Sequence, residues 1–448
     1  MGKLQLTSLD GRGVQRSARI ILRLGCLEFA SGCVEMEMIG GIMNTSRLAL
    51  VAAAGVLLGV AVTPAKAADL GGGCCGDLEE RVAELEATTA RKGNRVVSLQ
   101  VYGQVNKALL IFDDGVDSDA FIVDNDASGS RLGFTGKATI KPGWTAGYLL
   151  EFDYQDSASD KVSQVPNGDE GNDNEIVIRY NNFYIESEKL GRITLGQGST
   201  AADGANEVVL GNSIKNSDLH HGSSLQLRNS ATGALLGTAF ELKDVAGNLD
   251  GGRDDVVRYD SPSIYGFIVS ASWGDNDYAD VALRFKKEFN SVRIAAAIAY
   301  QWDNTNDSNV TINGVTNAND FEVLSGSVSV QHIPTGIYAA FAAGEREIKD
   351  LNADNATFWY TQIGIEKKFL PYGSTTAYVD YGKYSNFLND DSEAERWGLG
   401  VVQKFDSAAL EVYAQATFWS FDGVENAAGA AIDVEDLSTV MIGSRLKF

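Results

Sequence analysis

Few side chains in this chain stand at spacings that could do chemistry. His220 and His221 are adjacent, but no third ligand follows at a supporting distance, and neighbouring rings rarely chelate one ion. Acidic runs at 113–119 and 169–175 (DEGNDNE at its end) carry oxygen ligands, yet neither follows the twelve-residue calcium loop, so solvated loops are expected. Gly136-Lys137 superficially suggests a phosphate loop. That motif fails, because Arg131 occupies the place of its first glycine and Ala138 that of its hydroxyl residue. Neither a nucleophile elbow nor a zinc-binding helix is present. The expectation is no catalysis, no metal and no cofactor. Two sets of charges remain. Arg131, Arg258, Arg284 and Arg293 fall in patterned segments. Asp203, Glu207, Asp218, Glu241, Asp244 and Asp250 crowd one long irregular stretch, 199–252. Whether they can act together depends on the elements that carry them.

The whole chain has 448 residues, with 60 acidic and 37 basic groups and a net charge of −23. Its one long apolar run, LALVAAAGVLLGVAV at 48–62, follows Arg47 and ends in Ala65-Lys66-Ala67. A basic n-region, a short apolar core and a small-x-small site describe a secretory signal, too short to span a membrane as a helix. The signal is complete from Met43, so residues 1–42 read as an upstream extension from a start codon placed too early; a genuine extension is the rival reading. Cleavage after Ala67 leaves 30 basic against 56 acidic groups, a net −26. Such acidity argues against nucleic-acid binding. Cys26 and Cys33 leave with the upstream segment, and adjacent Cys74 and Cys75 form no disulfide framework.

Residues 77–92 (DLEERVAELEATTARK) show the one clear helical pattern, with Leu78, Val82 and Leu85 on one face. Two readings stay open for this 68–95 segment: a helix docked on its own domain, or a short coiled-coil tether on the periplasmic side. From Val96 the period becomes two. Leu132, Phe134, Ala138 and Ile140 alternate with Arg131, Thr135, Lys137 and Thr139. The same alternation recurs at 144–152, 267–273, 281–289, 292–300, 397–405, 410–418 and 440–448. Segments of this kind are what transmembrane barrel strands look like.

The connections sharpen the reading. Pro142, Pro166, Pro262, Pro334 and Pro371 all fall between strand patterns, where no ladder bond is lost. Short turns alternate with long polar stretches at 113–128, 155–174, 199–252, 302–319, 345–356, 387–393 and 421–433, with a brief one at 274–277. One tight rim and one elaborate rim mark an outer-membrane barrel. The count is 16 antiparallel strands across 96–448, all-β apart from the short N-terminal helix. That number encloses an aqueous lumen rather than a packed interior. Phe289, Phe369, Phe405 and Phe448 each end a strand beside charged residues, as expected for aromatics at one headgroup level.

The run Ser130-Arg131-Leu132-Gly133-Phe134-Thr135-Gly136 resembles the second strand of general porins. Leu190-Gly191-Arg192-Ile193-Thr194-Leu195-Gly196-Gln197 resembles their strand entering loop 3, and Val257-Arg258-Tyr259-Asp260-Ser261-Pro262 the strand after it. Terminal Phe448, with Val440, Ile442 and Leu446 at alternate positions, is similar to the signal read by the barrel-assembly machinery. The 77–95 helix followed at once by a strand looks like the alphaproteobacterial branch. The resemblance spans 68–448. It implies a homotrimer in the Gram-negative outer membrane, among lipid and lipopolysaccharide, passing small hydrophilic solutes and ions by diffusion. It also implies that 199–252 folds into the pore, with Asp203, Glu207 and Asp218 facing Arg131, Arg258, Arg284 and Arg293 across a constriction. Opposed fixed charges there would sort solutes by sign. A solute-specific channel is the nearer rival; a barrel enzyme lacks a clustered nucleophile, base and acid, and a structural or adhesive barrel would not need so long a loop.

The signal reading carries its own test. N-terminal sequencing of outer-membrane material should begin at Ala68, and recovery of residues 1–42 there would overturn it.

Overall fold

The computed structural model describes residues 96–155, 157–165, 175–213, 221–275, 277–303, 311–312, 315–316, 320–349, 353–426 and 428–448. The signal, the 77–92 helix, Cys74, Cys75, Asp218, His220 and residues 169–174 lie outside the described residues.

In chain order the strands are β1 (Gln100–Asp113), β2 (Ser118–Asp124), β3 (Arg131–Lys141), β4 (Trp144–Gln155), β5 (Glu175–Ser187), β6 (Gly191–Ser199), β7 (Arg253–Asp260), β8 (Phe267–Gly274), β9 (Ala279–Phe289) and β10 (Val292–Asp303). The two-residue strands β11 (Thr311–Ile312) and β12 (Val315–Thr316) form a small separate hairpin. Then come β13 (Phe321–His332), β14 (Ile337–Ile348), β15 (Ala356–Leu370), β16 (Gly373–Ser385), β17 (Glu393–Phe405), β18 (Leu410–Asp422) and β19 (Leu437–Lys447). Setting aside β2 and the hairpin, sixteen antiparallel strands form a closed barrel, as the alternation predicts.

Closure is made by the two ends of the strand series. β19 pairs with β1 from Gln104↔Lys447 to Asp113↔Ser438. One step beyond, the Phe448 amide donates to the Gly103 carbonyl at 3.0 Å and its carbonyl accepts from the Gly103 amide at 2.9 Å. The Phe448 ring lies over Gly103, where a Cβ would come within 2.5 Å of it. Glycine at this position is therefore a socket for the terminal aromatic.

Alternation sorts the two faces of the wall. On β1, Val105 and Leu109 face outward and are exposed, while Gln104, Asn106, Ala108 and Leu110 face inward and are buried. Pairing of Val101 with Phe134 and of Gly103 with Leu132 puts the apolar set of β3 on the same outer face, leaving Arg131 and Thr135 inside. Outward aromatics gather in two bands. Trp359, Tyr381 and Trp397 pack tilted and edge-to-face near the loop rim with centroid spacings of 5.0 and 4.6 Å. Phe267, Phe285 and Phe289 cluster near the turn rim, where Phe369 and Phe448 are also exposed. This is the pair of girdles that headgroup-level aromatics form.

The 113–128 stretch differs from expectation. It is not one loop, because β2 returns alongside the upper half of β1, with Leu110↔Phe121 and Ala108↔Val123 facing inward. Phe121 stacks on Phe112 at 5.7 Å and Val123 is fully buried, which is what drives the pairing. The second wall strand is thus split, and residues 125–130 dip inward between its halves.

Deleting Phe448, or replacing Gly103 by leucine, should lower outer-membrane yield markedly while export continues. Immunoblots of membrane fractions check this, and unchanged yield for both variants would refute the socket.

Candidate functional site

Loop 3, residues 200–252, enters the lumen because the wall makes room for it. The inward positions of β10 are Ala295, Ala297 and Ala299, and those of β13 are Ser325, Ser327 and Ser329. Small side chains here leave a shelf on which the first leg of the loop lies flat. Ala201, Ala202 and Ala205 pack against Ala282, Ala297 and Ala299. Wall side chains then satisfy the backbone that no strand pairs. Asp280 accepts from the amides of Ala201 (3.2 Å) and Ala202 (2.7 Å), and Ser272 and Tyr278 hydrogen-bond the same carboxylate. Ser327 and Ser329 accept from Val208 and Leu210 at 2.9 and 3.1 Å, and Glu366 from Asn212 at 3.0 Å. Burial, and the Asp280 carboxylate beside it, push the Tyr278 hydroxyl up, so it remains a donor.

The second leg builds an apolar core inside the barrel. Leu225, Leu227, Leu242 and Val245 are buried against inward Phe358, Tyr360, Tyr384 and Trp419. One short helical turn, α1 (Leu242–Val245), presents two of these side chains. Within the same region Arg396 and Asp380 form an ion pair at 3.3 Å, both side chains at most 2% exposed. The Arg396 guanidinium lies over Tyr360 at 5.8 Å and Trp419 at 5.6 Å. Removing one partner of such a buried pair costs about 3–5 kcal/mol. The loop is therefore fastened to the wall at many points.

The loop acids divide accordingly. Asp250 accepts from the Gly204 amide at 2.9 Å and ties the two ends of the loop together. Glu207 lies 3.5 Å from the Asn248 amide. Asp203 offers its carbonyl to Arg284 at 2.8 Å. Asp244 caps its own helical turn, accepting from the Glu241 amide at 2.8 Å. Burial pushes the Asp244 carboxyl up, while that hydrogen bond and the Lys243 charge pull it down.

The wall arginines separate into three places. Arg258 and Arg284 stand at the root of loop 3. Arg258 binds Asp260 at 2.7 Å and the Thr200 carbonyl at 2.8 Å. Arg131 stands elsewhere, beside Glu151 at 3.4 Å and Ser128 at 2.6 Å. It belongs to a network in which Arg179 reaches Glu151 at 3.0 Å and Asp153 at 2.8 Å, and Tyr102 donates to Glu151 at 2.7 Å. Arg293 lies at the turn rim, 3.2 Å from Glu288 and 3.3 Å from Gln331. Glu151, Asp153, Arg179 and Asp280 were not among the residues expected from sequence. Glu151 was legible as an acid between outward Leu150 and Phe152. Arg179 was not, because the bulge opposite Glu151 and Phe152 puts both Arg179 and Tyr180 inward, out of phase with the second half of β5.

A closed sixteen-strand wall with an apolar outer band, a polar inner face and an inserted loop defines an outer-membrane channel barrel. The chain belongs to the Gram-negative porin family, whose pattern matches residues 49–423. No curated protein sequence matches it. Among solved structures it is similar to OmpT of Vibrio cholerae lacking loop L8, with a TM-score of 0.54 and 16% identity over 79% of this chain and 100% of that one. The anion-selective porin from Comamonas acidovorans gives 0.52 and 14% over 79% and 100%. A trimer form of Vibrio cholerae OmpT gives 0.51 and 16% over the same shares. At these identities the likeness is one of fold.

Asp280→Asn should loosen the root of loop 3, since a hydrogen bond to a charged group contributes about 1.5–3 kcal/mol. Flickering closures in single-channel records and new protease cleavage within 200–213 are the expected signs. A quiet, resistant variant would show that the root is held elsewhere.

Proposed function

We infer that this protein is a passive diffusion channel for small hydrophilic solutes and ions, with loop 3 as its selectivity element and no catalytic step. The observation that carries the reading is the division of the lumen. Loop 3 lies along β8–β10 and β13–β15 and fills the region by β14–β19, while the inner wall of β3–β7 keeps half-exposed polar and charged side chains such as Arg131, Arg179, Arg192 and Arg258. Asp203, Glu207 and Asp250 on the loop, with Arg258 and Arg284 on the wall, form the constriction in this reading; Asp218, outside the described residues, joins them by its place in the loop. Arg131 acts with Arg179 as a second charged ring segment, and Arg293 guards the turn-side vestibule. Its partners are outer-membrane lipid and lipopolysaccharide, the barrel-assembly machinery that reads Phe448, and two further copies of the chain.

The trimer reading has support on the outer face. Lys107, midway along β1 between outward Val105 and Leu109, pairs with Asp124 at 3.3 Å. A lysine facing lipid at the midplane costs about 2–4 kcal/mol, so a neighbouring protein surface suits this position better than acyl chains. The alphaproteobacterial branch is inferred from the 77–95 helix alone.

Selectivity follows from which charges are already neutralised. Arg131 and Arg179 share Glu151 and Asp153, and Arg258 is held by Asp260. Loop 3 itself carries more acids (Asp203, Glu207, Asp218, Glu241, Asp244, Asp250) than bases (Lys215, Arg228, Lys243), so cations are favoured. Reversal potentials across a planar bilayer under a salt gradient should show that preference, shrinking at high salt as the Debye length contracts. Arg131→Ala should raise both conductance and cation preference, and Glu151→Gln should shift selectivity toward anions. An anion-selective wild type would mean that the wall arginines outweigh the loop.

A further inference from the structure

We propose that the inner wall of β5–β7 holds a retention site for a neutral, polyhydroxylated ring of pyranose size. The inference rests on the channel reading only in that solute must reach the lumen. The inward positions of β6 run Arg192, Thr194, Gly196, Gly198, so two successive side chains are missing and the wall is hollowed. The resulting concavity measures about 340 Å³, within the size range of small-molecule sites. Glycine is required to keep it. Gly196 has φ +115°, and a Cβ there would meet the Asn181 carbonyl at 2.4 Å; at Gly198 it would meet the Asn182 amide at 2.9 Å.

The walls of the hollow set the ligand's chemistry. Tyr180 and Tyr184 on β5 present ring surfaces, and the Tyr180 hydroxyl pairs with Ser199 Oγ at 3.0 Å. Arg192 stacks on Tyr184 at 4.2 Å and binds Glu186 at 2.7 Å. Opposite, Arg258 binds Asp260 at 2.7 Å. Each guanidinium is matched by a carboxylate, Arg258 by Asp260 within the lining and Arg192 by Glu186 beside it, so the fixed charges around the hollow balance. An anion would have to displace those carboxylates, and a cation would meet two arginines. A neutral ring fits: its C–H face lies against Tyr180 beside Gly198, and its edge hydroxyls both donate to Asp260 and accept from the guanidiniums.

The test is current through single channels in planar bilayers as D-glucose is titrated, with L-alanine as the zwitterionic comparison. Wild type should lose current saturably with D-glucose, with excess noise, and only in proportion to bulk conductivity with L-alanine. Tyr180→Leu and Gly198→Ala should each raise the half-saturating concentration roughly three- to tenfold, the loss expected when one aromatic face or its approach is removed. Tyr180→Phe, which keeps the ring, should retain saturation. A proportional, unsaturated response of wild type to D-glucose would overturn the site whatever the variants do, while leaving the channel reading intact. Saturation by L-alanine instead, or folded Tyr180→Leu and Gly198→Ala variants with wild-type half-saturation, would also overturn it. Absence of conductance would refute the channel, and the site with it.

Discussion

Inside a bilayer no water is available to a backbone amide, so each one must find its partner within the wall. That requirement organises everything else in this protein. It forces the sheet to close, and closure falls on the junction between β1 and β19, where Phe448 extends the ladder to Gly103. Once the ring is closed, each strand has one face toward lipid and one toward water, and the period-two pattern follows. The terminal aromatic thereby serves two ends. Its backbone completes the seam, and its ring joins the girdle at the headgroup level.

The same constraint governs loop 3, though inside the barrel. Its first leg has no strand partner, and the wall supplies one from side chains: Asp280, Ser327, Ser329 and Glu366 accept from its amides. The leg can come close enough for those bonds because the facing positions on β10 and β13 are alanine and serine. The second leg is held differently, by burial of leucine and aromatic side chains around the Arg396–Asp380 pair. Hydrogen bonding and apolar packing thus fasten opposite ends of one loop, and the lumen becomes asymmetric. One side is filled, and the other keeps its charges.

Those retained charges are mostly paired along the wall rather than across the pore. Glu151 lies between Arg131 and Arg179, and Asp260 beside Arg258. Pairing lowers the cost of holding arginine at the edge of a low-dielectric wall. It also mutes each arginine's field.

Strand number, the two rims and the face on which Leu132, Phe134 and Arg131 lie were all legible in the sequence, because alternation is a local property that survives without knowledge of the partner strand. Loop 3 was legible only as a length. Its acids have no period, so nothing local distinguishes Asp250, which ties the loop's ends, from Asp244, which caps a helical turn, or from Asp203, whose carbonyl engages Arg284. Arg179 was hidden by a bulge that reverses the facing of its strand, and β2 by an apolar pattern of only four residues, 120–123. By itself the sequence determined a closed barrel with an apolar outside, since hydrophobic period and turn placement are written residue by residue. Which charges meet, which are neutralised and which side of the lumen stays open were decided only by the tertiary structure, because those depend on contacts between segments up to a hundred residues or more apart, such as Asn212 with Glu366.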